Sequence, residues 1–545
     1  MSTTTSAKSV RHFRQILLWP VYLHPLDKGS TIRSHWQHLA ADDGSSAVWR
    51  EHEEEFGDPS EFQERHYNEF VTFLPPAQRF LYGQGLGKSV RRSYGESPIK
   101  VLRRSDIAKV RLVLEKCGAP IDLSIAHVDL YFFFDVDVAL LNVEVFADGL
   151  SLEVAQEIMF RFGRAYPAHW EADGRGGHCP WSVQWIGLDG AVLCQSDFGK
   201  REKFLSFVCE HRSPAVAAHW EFLLAPAVLY QSDNKGPVRY RQLEYYRMPF
   251  MAFLAIEDLD RLTRADYIRL AIGSAPGESD ALPYSTRYLK DFEARHCYDR
   301  YWGEGGGDRG TRFMGAGHTF VVTGDANDPL FVDSNGGILA RFRHQNFLLY
   351  LVAHFQKAAL RMFSDRLIAA VSRLDLTDAR TSREFRSTIR EALENFLRFE
   401  HRYWFHEISD QTQVRELFQL TRRHLDLDAL YEEVRQELQD MGSYLEMDAM
   451  RRQNESVVRL TVVTIFGLAG TVATGFLGMN LFSWAEEPVG WRAVAFFCVF
   501  VPVLLLTLYT VTKSQRLSEF LDSLSDESAT FKEKLSSLLR VVRRS

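Results

Sequence analysis

The chain has 545 residues, of which 46% are hydrophobic and 25% are charged, and its formal net charge at pH 7 is −7. The length allows two to four domains, and the acidic balance argues against nucleic acid as a partner. The mean hydropathy of −0.20 argues against a protein built mainly of membrane spans. Six scattered cysteines without a CxxC pair favour reduced thiols over disulfides or a zinc knuckle.

Residues 1–340 are predicted to form one enlarged α/β domain. The apolar run 15–26 contains Pro20 and Pro25, so any strand there is expected to be short or at a sheet edge. Residues 127–146 are dense in aromatic and β-branched side chains and predict two strands, followed by an amphipathic helix over 151–166. We see no catalytic constellation in this part and expect no enzyme.

Residues 301–337 are rich in glycine. They contain neither GxxxxGK[ST] nor a clean GxGxxG between a strand and a helix, so turns between short strands are favoured over a phosphate loop. His296, Cys297 and His318 lie nearby in the sequence, but their spacing does not fit a zinc site well.

From residue 341 the sequence is predicted to be helical. Helices are expected over 344–374 and 382–405, and a third begins near Asp410 and meets no proline before Pro488. Its apolar positions follow a three–four alternation typical of a helix packed along its length. We expect this helix to continue without a break into an apolar stretch, so that residues 428–481 span about 80 Å.

That apolar stretch carries no charged residue from Leu460 to Leu481, and a second apolar run covers 491–511. As a helix the first run spans roughly 33 Å, enough for the hydrocarbon core of a bilayer. One helical face combines an amide, aliphatic residues, hydroxyls and glycines: Asn454, Val457, Leu460, Thr464, Leu468, Thr471, Gly475 and Gly478. Such a face suits a narrow pathway between copies, although small residues also serve for helix packing alone.

Charged flanks predict an orientation. Arginines precede the first run, Lys513 and Arg516 follow the second, and the connecting loop holds Glu486 and Glu487. The positive-inside rule then predicts a multi-pass protein of the plasma (inner) membrane with both termini in the cytoplasm.

The first run ends in Gly478-Met479-Asn480, a short loop follows, and the second run comes next. This arrangement resembles the CorA family of magnesium transporters, whose members close the first of two C-terminal membrane helices with Gly-Met-Asn. The resemblance implies an α/β funnel-type cytosolic domain, a long stalk helix and two transmembrane helices. The chain departs from the family in its long N-terminal part, in its FSWAEEP loop and in the thirty or so residues after the second run.

The resemblance also implies the division of the chain. A helical region with the stalk would cover 341–456, the pore-lining helix 457–481, the outer loop 482–490, the second helix 491–512 and a cytosolic helical tail 513–545. The partners would be further copies of the chain, five around one pore, together with the lipid bilayer and divalent cations.

The function expected from the sequence is a divalent-cation channel, most simply for Mg²⁺, with no bound cofactor. The cation site would be formed by Asn480, Gly478, Met479, Thr471 and Gly475. The gate would be formed by Asn454, Val457, Leu460, Thr464 and Leu468, while Glu486 and Glu487 would attract cations. Two alternatives stay open: a zinc or other transition-metal transporter of the ZntB type, and a membrane-tethered sensor or regulatory protein that does not transport.

Overall fold

The computed structural model describes residues 8–24, 34–40, 48–52, 64–83, 98–244, 246–277, 281–303, 310–374 and 379–478, with isolated positions between 488 and 505. By its internal packing the chain divides into two units, residues 1–438 and 439–545. The strands and most helices lie in the first unit.

The described residues form fourteen strands. They are β1 (Ser9–Leu23), β2 (Trp49–Glu51), β3 (Ile99–Arg104), β4 (Ile107–Val113), β5 (Ile121–Phe133), β6 (Val136–Ser151), β7 (Ser182–Gly187), β8 (Val192–Gln195), β9 (Val228–Leu229), β10 (Arg239–Gln242), β11 (Phe250–Ile256), β12 (Cys297–Tyr298), β13 (Arg312–Ala316) and β14 (Thr319–Asp325).

The described α-helices are α1 (His35–Leu39), α2 (Glu64–Thr72), α3 (Pro75–Tyr82), α4 (Leu152–Arg161), α5 (Arg201–His211), α6 (Ala218–Leu224), α7 (Arg264–Ile272), α8 (Thr286–His296), α9 (Pro329–Val332), α10 (Ile338–Arg341), α11 (Phe347–Ser372), α12 (Ala379–Tyr403), α13 (Thr412–His424) and α14 (Leu427–Gly478). One turn of π-helix, Phe342–Asn346, joins α10 to α11.

All fourteen strands belong to one mixed sheet. Its main path runs β12-β13-β14-β11-β1-β6-β5-β4-β7-β8, while β10 and β9 extend from β1, and β3 and β2 extend from β5. The pairs β11–β14 and β9–β10 are parallel and the other described pairs are antiparallel. The hairpin of β5 and β6 confirms the two strands predicted over 127–146. The hairpin of β13 and β14, which turns at Gly317 with φ of +62°, confirms the turn predicted within the glycine-rich region.

Strand β1 is central and long, so the prediction of a short or edge strand around Pro20 is wrong. β1 pairs with β6 along one side from Ser9 to Tyr22. On its other side the partner changes, because β11 pairs as far as Leu17 and β10 starts at Val21. Pro20 lies at this change of partner, where a proline costs no ladder hydrogen bond even in the centre of a sheet.

Helices cover both faces of the central strands. Because side chains alternate along a strand, Phe13 and Leu17 of β1 lie on the same face, in a core that also contains the apolar residues of α4. Helix α11 packs on β1 and β6 from the opposite face. There its Phe355 stacks on Phe133 with the ring centroids 3.9 Å apart. α11 is buried over most of its length, since it lies between the sheet and the helices α12 and α13.

The long C-terminal helix is separated from the helix before it. α13 ends at His424, and Asp426 adopts a left-handed conformation with φ of +52°, so α14 begins anew at Leu427. α14 then continues for 52 residues to Gly478. Its apolar positions Leu427, Val434 and Leu438 are buried. The three–four alternation therefore describes the face that the first turns of α14 bury.

The predicted fold class, an α/β funnel-type domain with a stalk helix and two C-terminal transmembrane helices, is wrong. The chain has a 14-stranded mixed sheet with helices. Among the described residues we find no helix whose length and apolarity would let it cross a membrane. α14 carries charges up to Arg459 and is described only to Gly478, and only isolated positions of the second apolar run are described. The prediction relied on apolar composition, whereas a span needs one helix of sufficient apolar length.

The same finding overturns the predicted location. A multi-pass protein of the plasma membrane with cytoplasmic termini requires two crossing helices, and the described part of the chain contains none. The description of the chain as a transmembrane protein is wrong for the same reason.

Two buried glutamines allow a test of the core. Gln15 on β1 is fully buried, and neither its Nε2 nor its Oε1 has a hydrogen-bond partner among the described residues. Gln356 on α11 is equally buried, but its Nε2 donates to the carbonyl of Tyr403 at 2.9 Å and its Oε1 accepts from Arg422 at 3.2 Å. We expect Gln15→Leu to raise the free energy of unfolding by about 1–2 kcal/mol, because it removes an unpaired buried amide.

Gln356→Leu is the matched control. It leaves Arg422 and the Tyr403 carbonyl with unpaired atoms, so it should lower the free energy of unfolding by about 1–3 kcal/mol. Urea denaturation followed by circular dichroism measures both variants. Equal destabilisation by the two substitutions would show that Gln15 has a partner in the folded protein.

Candidate functional site

The residues predicted to line a pathway lie on α14. Asn454, Val457, Leu460 and Thr464 are all exposed in the single chain, and the aliphatic Val457 and Leu460 are 54% and 68% exposed. Thr471 and Gly475 farther along the helix are also exposed. One face of α14 therefore presents aliphatic side chains next to hydroxyls, where a surface helix ordinarily presents charge.

The threonine hydroxyls on this face bond to their own helix. Thr464 Oγ1 donates to the carbonyl of Leu460 at 2.8 Å, and Thr471 Oγ1 donates to the carbonyl of Gly467 at 2.9 Å. A hydroxyl has one hydrogen and two lone pairs. Because that hydrogen is used within the helix, the hydroxyl of Thr464 offers only oxygen lone pairs to an approaching group.

Several predicted site residues lie outside the described residues: Met479, Asn480, Glu486, Glu487 and the side chain of Leu468. Gly478 is the last residue of α14. The structure therefore brings together Asn454, Val457, Leu460, Thr464, Thr471 and Gly475 on one helix and does not place the proposed cation mouth. No group of three or more His, Cys, Asp or Glu side chains arranged to hold a metal occurs among the described residues.

The acidic residues of α14 are partly neutralised within the helix. Glu432 pairs with Arg435 at 2.6 Å, and Asp448 pairs with Arg452 at 2.8 Å. Exposed helical pairs of this kind contribute little to stability. They do reduce the negative charge that the helix presents to cations.

A second site, not singled out from the sequence, lies in the first unit. It is a cleft of about 340 Å³ between one face of the sheet, the helix α2 and the start of α11, and we call it the sheet cleft. Four neighbouring strands, β1, β6, β5 and β3, form its floor. Its polar and charged lining residues are His52, Arg65, His66, Glu69, Tyr82, Arg103, His127, Asp129, Tyr131, Asn142, Glu144, Arg343 and His344.

Strand register aligns the polar residues of the cleft floor. Arg103, Asp129 and Asn142 lie directly opposite one another on β3, β5 and β6. Arg103 donates two hydrogen bonds to Asp129, from Nε to Oδ1 at 2.7 Å and from Nη2 to Oδ2 at 2.9 Å. Burial alone would lower the pKa of Arg103, but these bonds to Asp129 raise it. Arg103 therefore keeps its positive charge beside the cleft.

Glu144 is a second buried carboxylate of the cleft and is 4% exposed. Its Oε1 accepts from Arg14 Nη1 at 2.5 Å and from Arg343 Nε at 3.0 Å, and its Oε2 lies 3.7 Å from His127 Nε2. Burial would raise the pKa of Glu144, but the two guanidinium groups outweigh burial and lower it. A single carboxylate thus ties the sheet to the turn before α11.

Two acceptors of the cleft have no described partner. Asn142 is 4% exposed, and no described group donates to its Oδ1. His344 Nε2 is likewise buried without a partner among the described residues. Burial, with Arg343 as the next cause, lowers the pKa of His344 to about 4, so its imidazole is neutral at pH 7. Because its Nδ1 lies 3.5 Å from a Glu69 oxygen, the proton belongs on Nδ1, and Nε2 is an acceptor.

One signal in the sequence could have indicated this site. Polar residues recur at every second position within otherwise apolar strands: His127, Asp129 and Tyr131 on β5, and Asn142 and Glu144 on β6. A period of two places each set on one face of a strand. Polar residues on the same face of two paired strands predict a polar surface inside the fold.

Neither a protein-family model, nor a curated protein, nor a solved structure matches this chain. The likeness to the CorA family therefore rests on the sequence features given above.

Glu144 supplies a test of the cleft's charge balance. Glu144→Gln leaves Arg14 and Arg343 without their counter-charge, so we expect the free energy of unfolding to fall by about 2–4 kcal/mol at pH 7. Because folding lowers the pKa of Glu144 from its ordinary 4.5, its stabilisation is complete above that value and is lost as the pH falls through the lower folded pKa. The difference between wild type and variant should therefore be constant from pH 8 to about pH 5 and shrink in acid.

Asp122→Asn is the control, since Asp122 also joins two cations, Lys109 at 2.6 Å and Arg111 at 2.7 Å, but lies at the surface. It should cost under about 1 kcal/mol. Urea titrations across this pH range measure both variants. Equal costs for the two substitutions would contradict a buried charge network at Glu144.

Proposed function

We propose that copies of this chain associate through the exposed face of α14 and that the assembly conducts divalent cations. We propose Mg²⁺ as the preferred ion. The observation that carries the proposal is the exposure of Val457 and Leu460 on the same helical face as Asn454 and Thr464. Exposed aliphatic side chains in register along a helix favour a protein partner. The small residue Gly475, farther along this face, would let helices approach closely.

The chemistry of the face supports cations as the conducted species. The outward lone pairs of Thr464 and the amide of Asn454 are oxygen donors without net charge. Magnesium keeps much of its hydration shell, and neutral oxygens can bind those waters without trapping the ion. Val457 and Leu460 would form apolar constrictions of the kind that gate by dewetting.

The donor set favours Mg²⁺ over zinc. Zinc prefers nitrogen and sulfur ligands, and the predicted face from Asn454 to Gly475 contains neither histidine nor cysteine. Five copies and a cation mouth at Asn480 are what the CorA resemblance implies, and both remain part of the proposal. The proposed activity is conduction, with no catalytic step.

Association is tested by two exposed residues of α14. Val457→Glu places a charge on the proposed contact face, whereas Arg459→Glu places the same side chain about 160° around the helix from Val457. We expect the wild type and Arg459→Glu to form one defined oligomer and Val457→Glu to fall to smaller species. Native mass spectrometry or mass photometry measures this. A wild type that stays a single copy at micromolar concentration would refute the proposal.

Conduction is tested with purified protein in vesicles that enclose a Mg²⁺-sensitive dye. Asn480→Ala is expected to abolish uptake while the oligomer stays intact. Thr464→Val, which removes an oxygen from the face at almost constant volume, should reduce uptake several-fold. Ser456→Ala is the control, because Ser456 bonds to the carbonyl four residues earlier in the same way but lies about 80° away from Thr464.

Competition between Mg²⁺ and Zn²⁺ in the same vesicle assay identifies the conducted ion. If Zn²⁺ is taken up while Mg²⁺ neither enters nor competes, the choice of magnesium is wrong although conduction holds. If no divalent ion enters faster than it enters empty vesicles, conduction itself is wrong.

A further inference from the structure

The sheet cleft has the volume of a ligand site. Its volume of about 340 Å³ lies at the small end of the range for ligand cavities, about 300–1,000 Å³. Its floor is the rigid centre of the sheet, and its walls come from α2 and from the turn before α11. Side chains on such elements are held in fixed positions, as recognition requires.

Charge in the cleft favours an anion. Three guanidinium groups reach it from three separate elements: Arg65 from α2, Arg103 from β3 and Arg343 from the π-helical turn. With Arg14, which holds Glu144, there are four guanidinium groups against three carboxylates, Glu69, Asp129 and Glu144. Arg103 and Arg343 each use only part of their five donors on these carboxylates. Arginine donors arriving from several directions suit a phosphate, which has three oxygens to receive them.

The arginines of the cleft offer hydrogen-bond donors to a ligand, whereas Asn142 offers an acceptor. Its buried Oδ1 lines the cleft and receives no hydrogen bond from any described group. His344 Nε2 is a second acceptor of this kind. Buried polar atoms nearly always have a partner, and leaving one unpaired costs free energy. The complementary group therefore carries O–H or N–H donors, which an inorganic anion such as phosphate or sulfate lacks in the required number and reach.

The remaining lining is apolar. Ile16, Leu81, Ile99, Val101, Phe347, Leu348 and Leu351 line the cleft beside the charged groups. Phe347 also contacts Tyr131, with the ring centroids 6.0 Å apart. An apolar wall next to arginines and buried acceptors fits a ligand with a flat or carbon-rich body between its two polar ends.

We propose that the sheet cleft binds a small organic phosphate whose body carries hydroxyl or amino donors, with the phosphate at Arg65, Arg103 and Arg343 and the donors at Asn142 and His344. Nucleoside monophosphates and sugar phosphates share this chemistry. The site belongs to the first unit, and the proposal does not depend on conduction along α14.

The test is isothermal titration calorimetry of the full chain at pH 7.5 with two phosphates, AMP and glucose 6-phosphate. At least one should bind with a defined stoichiometry of one per chain, and the tighter of the two identifies a nucleotide or a sugar phosphate as the class. Adenosine, glucose and inorganic phosphate each lack one of the two polar ends. Each should bind at least tenfold more weakly than the preferred organic phosphate.

Three variants locate the binding. Asn142→Leu removes the unpaired acceptor and should weaken binding at least tenfold, and the folded state should tolerate it because no hydrogen bond to Oδ1 is lost. Arg65→Gln should weaken binding similarly and should make it less dependent on salt. Gln15→Leu is the matched control, since it also replaces a buried amide with unpaired atoms but on the opposite face of the sheet. Its affinity should equal that of the wild type.

Several results would overturn the proposal. If neither AMP nor glucose 6-phosphate binds, the cleft is not an organic phosphate site, and water satisfies Asn142. If Asn142→Leu binds as tightly as the wild type, the phosphate binds elsewhere. If adenosine or glucose binds as tightly as its phosphate, the arginines do not select an anion, and if inorganic phosphate binds as tightly, the donor-bearing body is not recognised. Circular dichroism and thermal melting establish that each variant is folded.

Discussion

The antiparallel pairing of β1 with β6 is the constraint on which the rest of the first unit depends. It extends from the pair Ser9–Ser151 to the pair Tyr22–Val138, and both strands are covered by helices on both faces. A shift of one residue would exchange the two faces of a strand. In β6 such a shift would bring Glu144 and Asn142 into the core beside α4, and in β1 it would take Phe13 and Leu17 out of that core. The packing of α4 and α11 therefore fixes where every polar residue of the sheet cleft lies.

A charge network on a buried sheet face is costly unless each charge is paired, since desolvation of a carboxylate costs several kcal/mol. Two guanidinium groups pair with Glu144, and one guanidinium group forms two hydrogen bonds with Asp129, so both carboxylates are compensated. Asn142 lies between these pairs and keeps an unpaired oxygen among the described residues. A fold selected for stability alone would place a leucine there. The retained amide is the reason to regard the cleft as a place for binding.

Some of this structure could be predicted from local sequence. Aromatic and β-branched density correctly placed β5 and β6, and the predicted helix over 151–166 corresponds to α4, which Ser151 caps through its contact with Val154. These signals depend on residues close together in the chain. The central position of β1 depends on which strands flank Pro20, and the sequence around Pro20 contains no information about them. The fold class failed because apolar composition was taken as evidence for membrane-crossing helices.

The two sites also differ in how far the sequence could predict them. The residues on one face of α14 recur with the period of a helix, so that face could be predicted from their spacing, although its outer end at Asn480 lies beyond the described residues. The sheet cleft could not be predicted in this way, because Glu144 is 130 positions from Arg14 and 199 positions from Arg343 in the chain. Only the alternation of polar residues on β5 and β6 indicated a polar surface. Which arginines would reach it is decided by tertiary packing.

The π-helical turn Phe342–Asn346 determines the direction in which Arg343 and His344 point. A π turn holds one residue more than an α turn, so converting it to α geometry would rotate Arg343 and His344 by about 100° relative to α11. α11 cannot turn to compensate, because it is enclosed along most of its length. The extra residue sets the direction of two side chains, Arg343 towards Glu144 of the sheet and His344 towards Glu69 of α2. Deleting one residue from this turn would misdirect them while the scaffold stayed intact.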